Sequence, residues 1–135
     1  MNEQNKQVAI TFIEAMGRSD AATAASVLAP DAITVVKGFI KFSGVRNRDQ
    51  MVEMIGAFKE LVPSGLTPTI NRVTAEGDRV VIEWEGNAIL CNDESYRNQY
   101  CMVVTLRDGK IIEVTEYFCT ALAERVLFPL VEAVW

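Results

Sequence analysis

The sequence predicts an α+β domain in which helices come first and a long antiparallel meander follows. Three observations point there. Apolar residues in the N-terminal part recur every three or four positions, and from Thr67 onward they recur every second position. The period-two runs are joined by short polar segments rich in turn residues. Segregated helices and strands of this kind pack as a helical layer on one face of a sheet. The chain has 135 residues and is read as a single domain over residues 1–135. Half of its residues are hydrophobic and 23% are charged, a composition that supports a packed core rather than disorder.

The first helix is predicted over Asn5 to about Gly17, because Val8, Phe12, Ala15 and Met16 share a face with Ala9 and Ile13 alongside. Ser19 or Asp20 caps a second, short helix through Leu28, which Pro30 stops. "DAITVV" and "FIKF" read as two short strands separated by Lys37-Gly38, a small hairpin. Asn47 followed three residues later by Gln50 predicts a capping box. The helix it opens carries Met51, Met54, Ile55, Phe58 and Leu61 on one face and ends at Pro63, Ser64 and Gly65. Strands are expected at about Thr69 to Ala75, Arg79 to Leu90, Tyr96 to Arg107 and Lys110 to Thr120. Glu76-Gly77-Asp78, "CNDES" and Arg107-Asp108-Gly109 supply the turns between them. The C-terminal tail "ALAERVLFPLVEAVW", residues 121–135, is apolar, with helical character before Pro129, and has to bury itself against this domain or a partner chain.

Several function classes are disfavoured. A net charge of −5 with no basic cluster longer than "RNR" at Arg46 to Arg48 argues against nucleic-acid binding, which needs many cations on one face. No apolar run approaches the ~18 residues that a bilayer demands. The N-terminus has no basic segment leading into a long apolar one, so the expectation is a cytoplasmic protein without a membrane partner. Cys91, Cys101 and Cys119 match neither a zinc knuckle nor a redox pair and are expected to be reduced, mostly buried thiols. Histidine is absent, which removes the commonest general base and most catalytic zinc sites. No metal and no cofactor are expected. Any catalysis must run on carboxylates, tyrosines, a thiol, a cationic side chain or water.

The order "GDRVVIEWEG", then "YRNQY", then "DGKIIEVTEYFCT" resembles the cone-shaped α+β superfamily of ketosteroid isomerases, SnoaL-like polyketide cyclases and limonene epoxide hydrolases, the nuclear transport factor 2-like fold. The resemblance spans nearly the whole chain. It implies a cystatin-like cone, with three N-terminal helices packed on a curved, mainly antiparallel sheet. It also implies a conical apolar cavity and an outer sheet face that often builds a homodimer. The catalytic positions of such relatives fall on residues unsuited to those mechanisms. The aspartate that cyclases and epoxide hydrolases keep after the "EY" of the last strand is Cys119 here. The helix-one tyrosine of the isomerases falls near Phe12, their base near Val36 and their oxyanion partner near Cys101.

Residue parity then selects the pocket candidates. Tyr117 and Cys119 share one face of the last strand, the face that relatives turn to the cavity, while Asn98, Tyr100 and Trp84 line up on the neighbouring strands. With Phe12, Met16, Met54 and Phe58 from the helices they form the expected lining. Tyr117, Tyr100 and Glu83 are the catalytic candidates. Tyr117 either donates to a ligand or only packs its ring, and Cys119 is either a nucleophile or a small buried filler. Glu83, Glu85 and Glu116 form a solvated face unless a bulge reverses the register. Two functions follow. In the first, the cavity binds a small hydrophobic molecule, with cofactor-independent isomerase, cyclase or hydratase chemistry. In the second, the chain is a noncatalytic homodimeric interaction or scaffold module whose cavity is filled by side chains. Apolar residues on both parities of the last strand, Ile112 and Val114 against Ile111 and Tyr117, point to a homodimer.

Overall fold

A computed structural model describes residues 2–134; Trp135, the end of the predicted tail, lies outside them. Helix α1 spans Asn2–Gly17 and buries Ala9, Phe12, Ile13 and Ala15, the stripe expected from the spacing. Asp20 caps α2, Ala21–Val27, by accepting from the Thr23 N–H at 3.1 Å. Strand β1 then runs Leu28–Val36.

The expected hairpin is displaced. "FIKF" forms no strand: Gly38 takes φ +108°, Phe39 is fully exposed, and the chain is still turning through this segment. The strand that returns along β1 is β2, Gly44–Asn47, with Arg46 opposite Thr34 and Gly44 opposite Val36. Two left-handed glycines, Gly38 and Gly44, delimit the reversal, which is why it closes later than β propensity suggests. Helix α3, Arg48–Ala57, opens on the predicted capping box, with both the Gln50 N–H to Asn47 Oδ1 and the Asn47 N–H to Gln50 Oε1 bonds at 2.9 Å. A 3-10 turn at Phe58–Glu60 follows.

The meander comprises β3, Thr67–Glu76; β4, Arg79–Ile89; β5, Ser95–Arg107; and β6, Lys110–Phe118. The sheet order is β2-β1-β6-β5-β4-β3. All neighbours are antiparallel except β1 and β6, which run parallel and make the sheet mixed. Gly17 lies so close to the Leu66 backbone that a side chain would collide with it, and the Leu66 N–H bonds Gly17 O at 2.8 Å. That contact anchors the end of α1 to the start of β3.

One irregularity matters for the site. Thr105 pairs with Glu113, yet Leu106 pairs with Ile111, so β6 carries one extra residue between these pairs. This β-bulge reverses the facing of every β6 residue beyond it. Ile111 and Val114 are accordingly both buried. The tail forms α4, Thr120–Val126, and α5, Phe128–Val134, and packs on its own domain. Phe128 stacks on Phe42 at 4.5 Å, and Lys41 meets Glu132 at 3.0 Å.

Candidate functional site

A cavity of about 140 Å³ lies between the inner face of the sheet and α1, α3 and α5. Helices α1 and α3 contribute Phe12, Met16, Met51 and Met54, and the turn after α3 adds Phe58. Trp84 and Tyr100, paired across β4 and β5, stack with their rings 4.1 Å apart and 10° from parallel. Of the residues expected to line a pocket, Phe12, Met16, Met54, Phe58, Trp84 and Tyr100 are thus brought together. They fall together because helical spacing and the unbroken pairing of β4 with β5 preserve the pattern visible in the sequence.

The other candidates lie elsewhere, and the bulge explains two of them. Beyond it the even-numbered residues of β6 face inward, so Glu116 and Phe118 line the cavity. Tyr117, 47% exposed, stands on the outer face, and Cys119, also exposed, sits at the N-terminal cap of α4. Both expected cavity facings are corrected, and Cys119 is no buried filler. Glu83 is exposed on the outer face opposite Cys101. The thiols are less buried than expected: Cys91 is exposed, and Cys101 is half-buried, its pKa raised by desolvation and by the Glu83 charge. Of the positions assigned through the resemblance, Phe12 and Val36 line the cavity as apolar walls.

Asn98 is buried at 3% exposure and does not line the cavity, and its amide is fully engaged. Oδ1 accepts from the Gln99 N–H at 2.8 Å and the Cys119 N–H at 3.2 Å. Those two backbone donors fix the amide orientation. Nδ2 then donates to Cys119 O at 3.1 Å and to Tyr96 Oη at 2.9 Å. Tyr96 Oη lies 2.8 Å from Tyr100 Oη. The two tyrosines hold two hydroxyl protons and share one hydrogen bond, so one O–H is left for the cavity. Donation from Asn98 into Tyr96 favours the order Asn98 to Tyr96 to Tyr100, with the spare proton on Tyr100. Burial raises both phenol pKa values, that of Tyr100 well above the usual, so both stay protonated donors at neutral pH.

The charged groups of the cavity wall are Glu116 and Arg46. Glu116 pairs with Met102 while Tyr100 pairs with Phe118, which makes Glu116 and Tyr100 diagonal neighbours on one face. Desolvation pushes the Glu116 carboxyl up to about 7, opposed only by the charge of Arg46. Arg46 Nη2 donates to Phe42 O at 2.8 Å, and its guanidinium lies 4.1 Å over the Phe42 ring. Among the described residues, two buried N–H groups on cavity-lining side chains lack a protein partner, Arg46 Nη1 and Trp84 Nε1. Sequence reasoning missed Arg46, Thr34, Tyr96 and Phe118 as lining and gave Glu116 only as a consequence of a bulge. The adjacent apolar pair Ile111-Ile112, followed by apolar residues at Val114 and Phe118, is the signal of that bulge.

The arrangement therefore offers one proton-carrying carboxyl, one hydroxyl donor and one cation in an otherwise apolar chamber. Comparison with known proteins gives the same scaffold. A structure of an NTF2-like protein of unknown function from Burkholderia pseudomallei is 19% identical, covers 92% of this chain and 97% of that one, and superposes with a TM-score of 0.79. An M. tuberculosis LEH-like epoxide hydrolase is 22% identical over 98% of this chain and 96% of that one, with a TM-score of 0.75. A Catenulispora acidiphila protein with a ketosteroid isomerase-like fold, solved in complex with trimethylamine, is 14% identical over 85% and 87%, with a TM-score of 0.73. Comparison with curated proteins finds no match. A SnoaL-like domain model matches residues 9–114, most of the helical layer and sheet described above, and the chain belongs to the SnoaL-like domain family.

Proposed function

We propose that the cavity binds a small hydrophobic molecule and carries out a cofactor-independent proton transfer on it, of the isomerase, cyclase or hydratase type. Glu116 is the proton carrier and Tyr100 the donor to the oxygen on which charge develops. The observation that carries this reading is the position of Glu116, turned by the β6 bulge into an apolar chamber beside a tyrosine with a spare O–H. A carboxyl that titrates near 7 is half-ionised at neutral pH, where general acid–base catalysis works best. On a carbonyl compound, the Glu116 carboxylate takes a proton from the carbon beside the carbonyl. The enolate oxygen accepts the Tyr100 O–H, and the Glu116 acid returns the proton to the same or a conjugated carbon. That the M. tuberculosis relative is an epoxide hydrolase supports enzymatic use of the scaffold.

The chain is proposed to act as a single-domain homodimer through the outer sheet face, where Tyr117 is exposed and Val81, Val103 and Ile112 are half-buried. Free, partly exposed thiols suit a reducing compartment, and a cytoplasmic setting is part of the same proposal. No described helix is long and apolar enough to cross a membrane. The competing reading, a noncatalytic module, draws support from Phe42 and Phe118, whose rings both pack on Phe128 and occupy one side of the cavity.

Deuterium exchange separates the two. Small cyclic ketones incubated with the protein in deuterated buffer are expected to exchange the hydrogens beside the carbonyl faster than in buffer alone. Glu116→Gln should lose about a hundredfold or more of that acceleration, the lower end of what a positioned acid–base group supplies. Exchange no faster with the wild-type protein than with Glu116→Gln contradicts proton transfer.

A further inference from the structure

The unpaired cation of the cavity says what kind of molecule the chamber accepts. Arg46 is held from two sides, by the Phe42 carbonyl on Nη2 and by the Phe42 ring beneath its plane, so the guanidinium is fixed before any ligand arrives. Its Nη1 is buried and has no protein acceptor among the described residues. The one carboxyl on the same wall, Glu116, makes no ion pair with it within 4.0 Å among the described residues. A guanidinium nitrogen withdrawn from water without an acceptor is costly, and an anionic ligand atom is the partner that relieves it best.

We infer that the chamber is built for a small monocarboxylate, an apolar body about the size of one ring whose carboxylate is received by the guanidinium of Arg46. This deepens the proton-transfer reading by naming its substrate class. Size sets the body: an apolar cavity of roughly 150 Å³ holds a benzene ring, and this one measures about 140 Å³. Charge sets the head group. It sets the stoichiometry too: a single cation matches a monoanion, and a phosphate dianion would leave negative charge unpaired beside Glu116. Bound this way, the apolar body shares the chamber with Trp84, Tyr100 and Glu116, which line it as well.

The groups facing Glu116 are Arg46 from β2 and the Tyr96 and Tyr100 phenols from β5, while α1, α3 and α5 present apolar lining. When Glu116 ionises, it competes with the ligand for the Arg46 charge. Carboxylate binding therefore weakens as pH rises through about 7.

The test uses benzoate and its neutral isostere benzamide, titrated calorimetrically into the wild-type protein at about pH 6, below the Glu116 midpoint. Benzoate is expected to bind at least about tenfold more tightly than benzamide, the scale of one charge-assisted hydrogen bond. Arg46→Met removes that preference while keeping benzamide affinity within about twofold, and Arg46→Lys restores part of it. Equal binding of the two probes by the wild type, no benzoate binding up to about 10 mM, or a preference that survives in Arg46→Met overturns the inference. If Arg46→Met does not fold, the wild-type comparison decides alone. Carboxylate recognition is read from the benzoate-to-benzamide ratio and proton transfer from deuterium exchange on neutral cyclic ketones, so the failure of one is told apart from the failure of the other.

Discussion

Replacing Glu116 by Gln removes a titrating group and keeps its shape, so the difference between the two proteins isolates the cost of ionising that carboxyl inside the cavity. Burial raises its pKa from 4.5 to about 7. A carboxyl whose folded-state pKa exceeds its unfolded value favours the folded state only while protonated. Full stability is present below about 4.5, declines as pH rises through the window to about 7, and levels off above it. At about 1.36 kcal/mol per pH unit, the decline is on the order of 3 kcal/mol. In a chain of this size that is roughly 10 °C in Tm. Thermal and urea unfolding of both proteins between about pH 5 and pH 8 should show near-equal stability at the acid end and a more stable Gln variant at the alkaline end. All other carboxylates are common to both and cancel. Parallel stability profiles would mean that burial does not oppose ionisation of Glu116. A wild type that gains on the variant as pH rises would also refute the raised pKa, since that result means an Arg46–Glu116 ion pair holds it down.

Three further expectations concern the frame around the site. Asn98→Leu leaves the Cys119 N–H and carbonyl and the Gln99 N–H without their side-chain partner, and denaturant unfolding should show a loss of about 3 kcal/mol. A loss under about 1 kcal/mol would mean that water replaces the amide. Gly17→Ala drives a methyl into the Leu66 carbonyl and should cost about 2 kcal/mol, read from the shift in urea midpoint. Tyr117→Arg places a charge at the proposed dimer face and should convert a dimer into a monomer in sedimentation velocity, without loss of helix or strand signal. A wild type that is already monomeric at micromolar concentration contradicts the dimer proposal.

Much of this frame was legible in the sequence because it rests on local physics. The Asn47–Gln50 capping box and the α1 stripe formed as spacing dictates, and the β4–β5 ladder keeps one register from Arg79–Thr105 to Ile89–Ser95. What escaped was set by single-residue irregularities. One extra residue in β6 exchanged the roles of Glu116 and Tyr117, and with them the reading that the last strand lacks a cavity acid. Two adjacent isoleucines signal that bulge, but the same apolar residues on both parities also suggest a face covered by a partner chain. Arg46 was missed for a different reason. Its position facing the cavity depends on where the reversal after β1 closes, and the glycine conformations at Gly38 and Gly44 decide that, not the β propensity of "FIKF".

The proposed chemistry requires a carboxyl at Glu116 that exchanges its proton near neutral pH inside the cavity. The most direct measurement is a carbon-13 NMR titration of the glutamate carboxyl resonances, with the Glu116→Gln spectrum supplying the assignment. The predicted midpoint is about 7, moving higher in Arg46→Met because the opposing cation is gone. A Glu116 midpoint near 4.5, the value of a solvated glutamate, would contradict the claim that this side chain is the proton carrier of an apolar site.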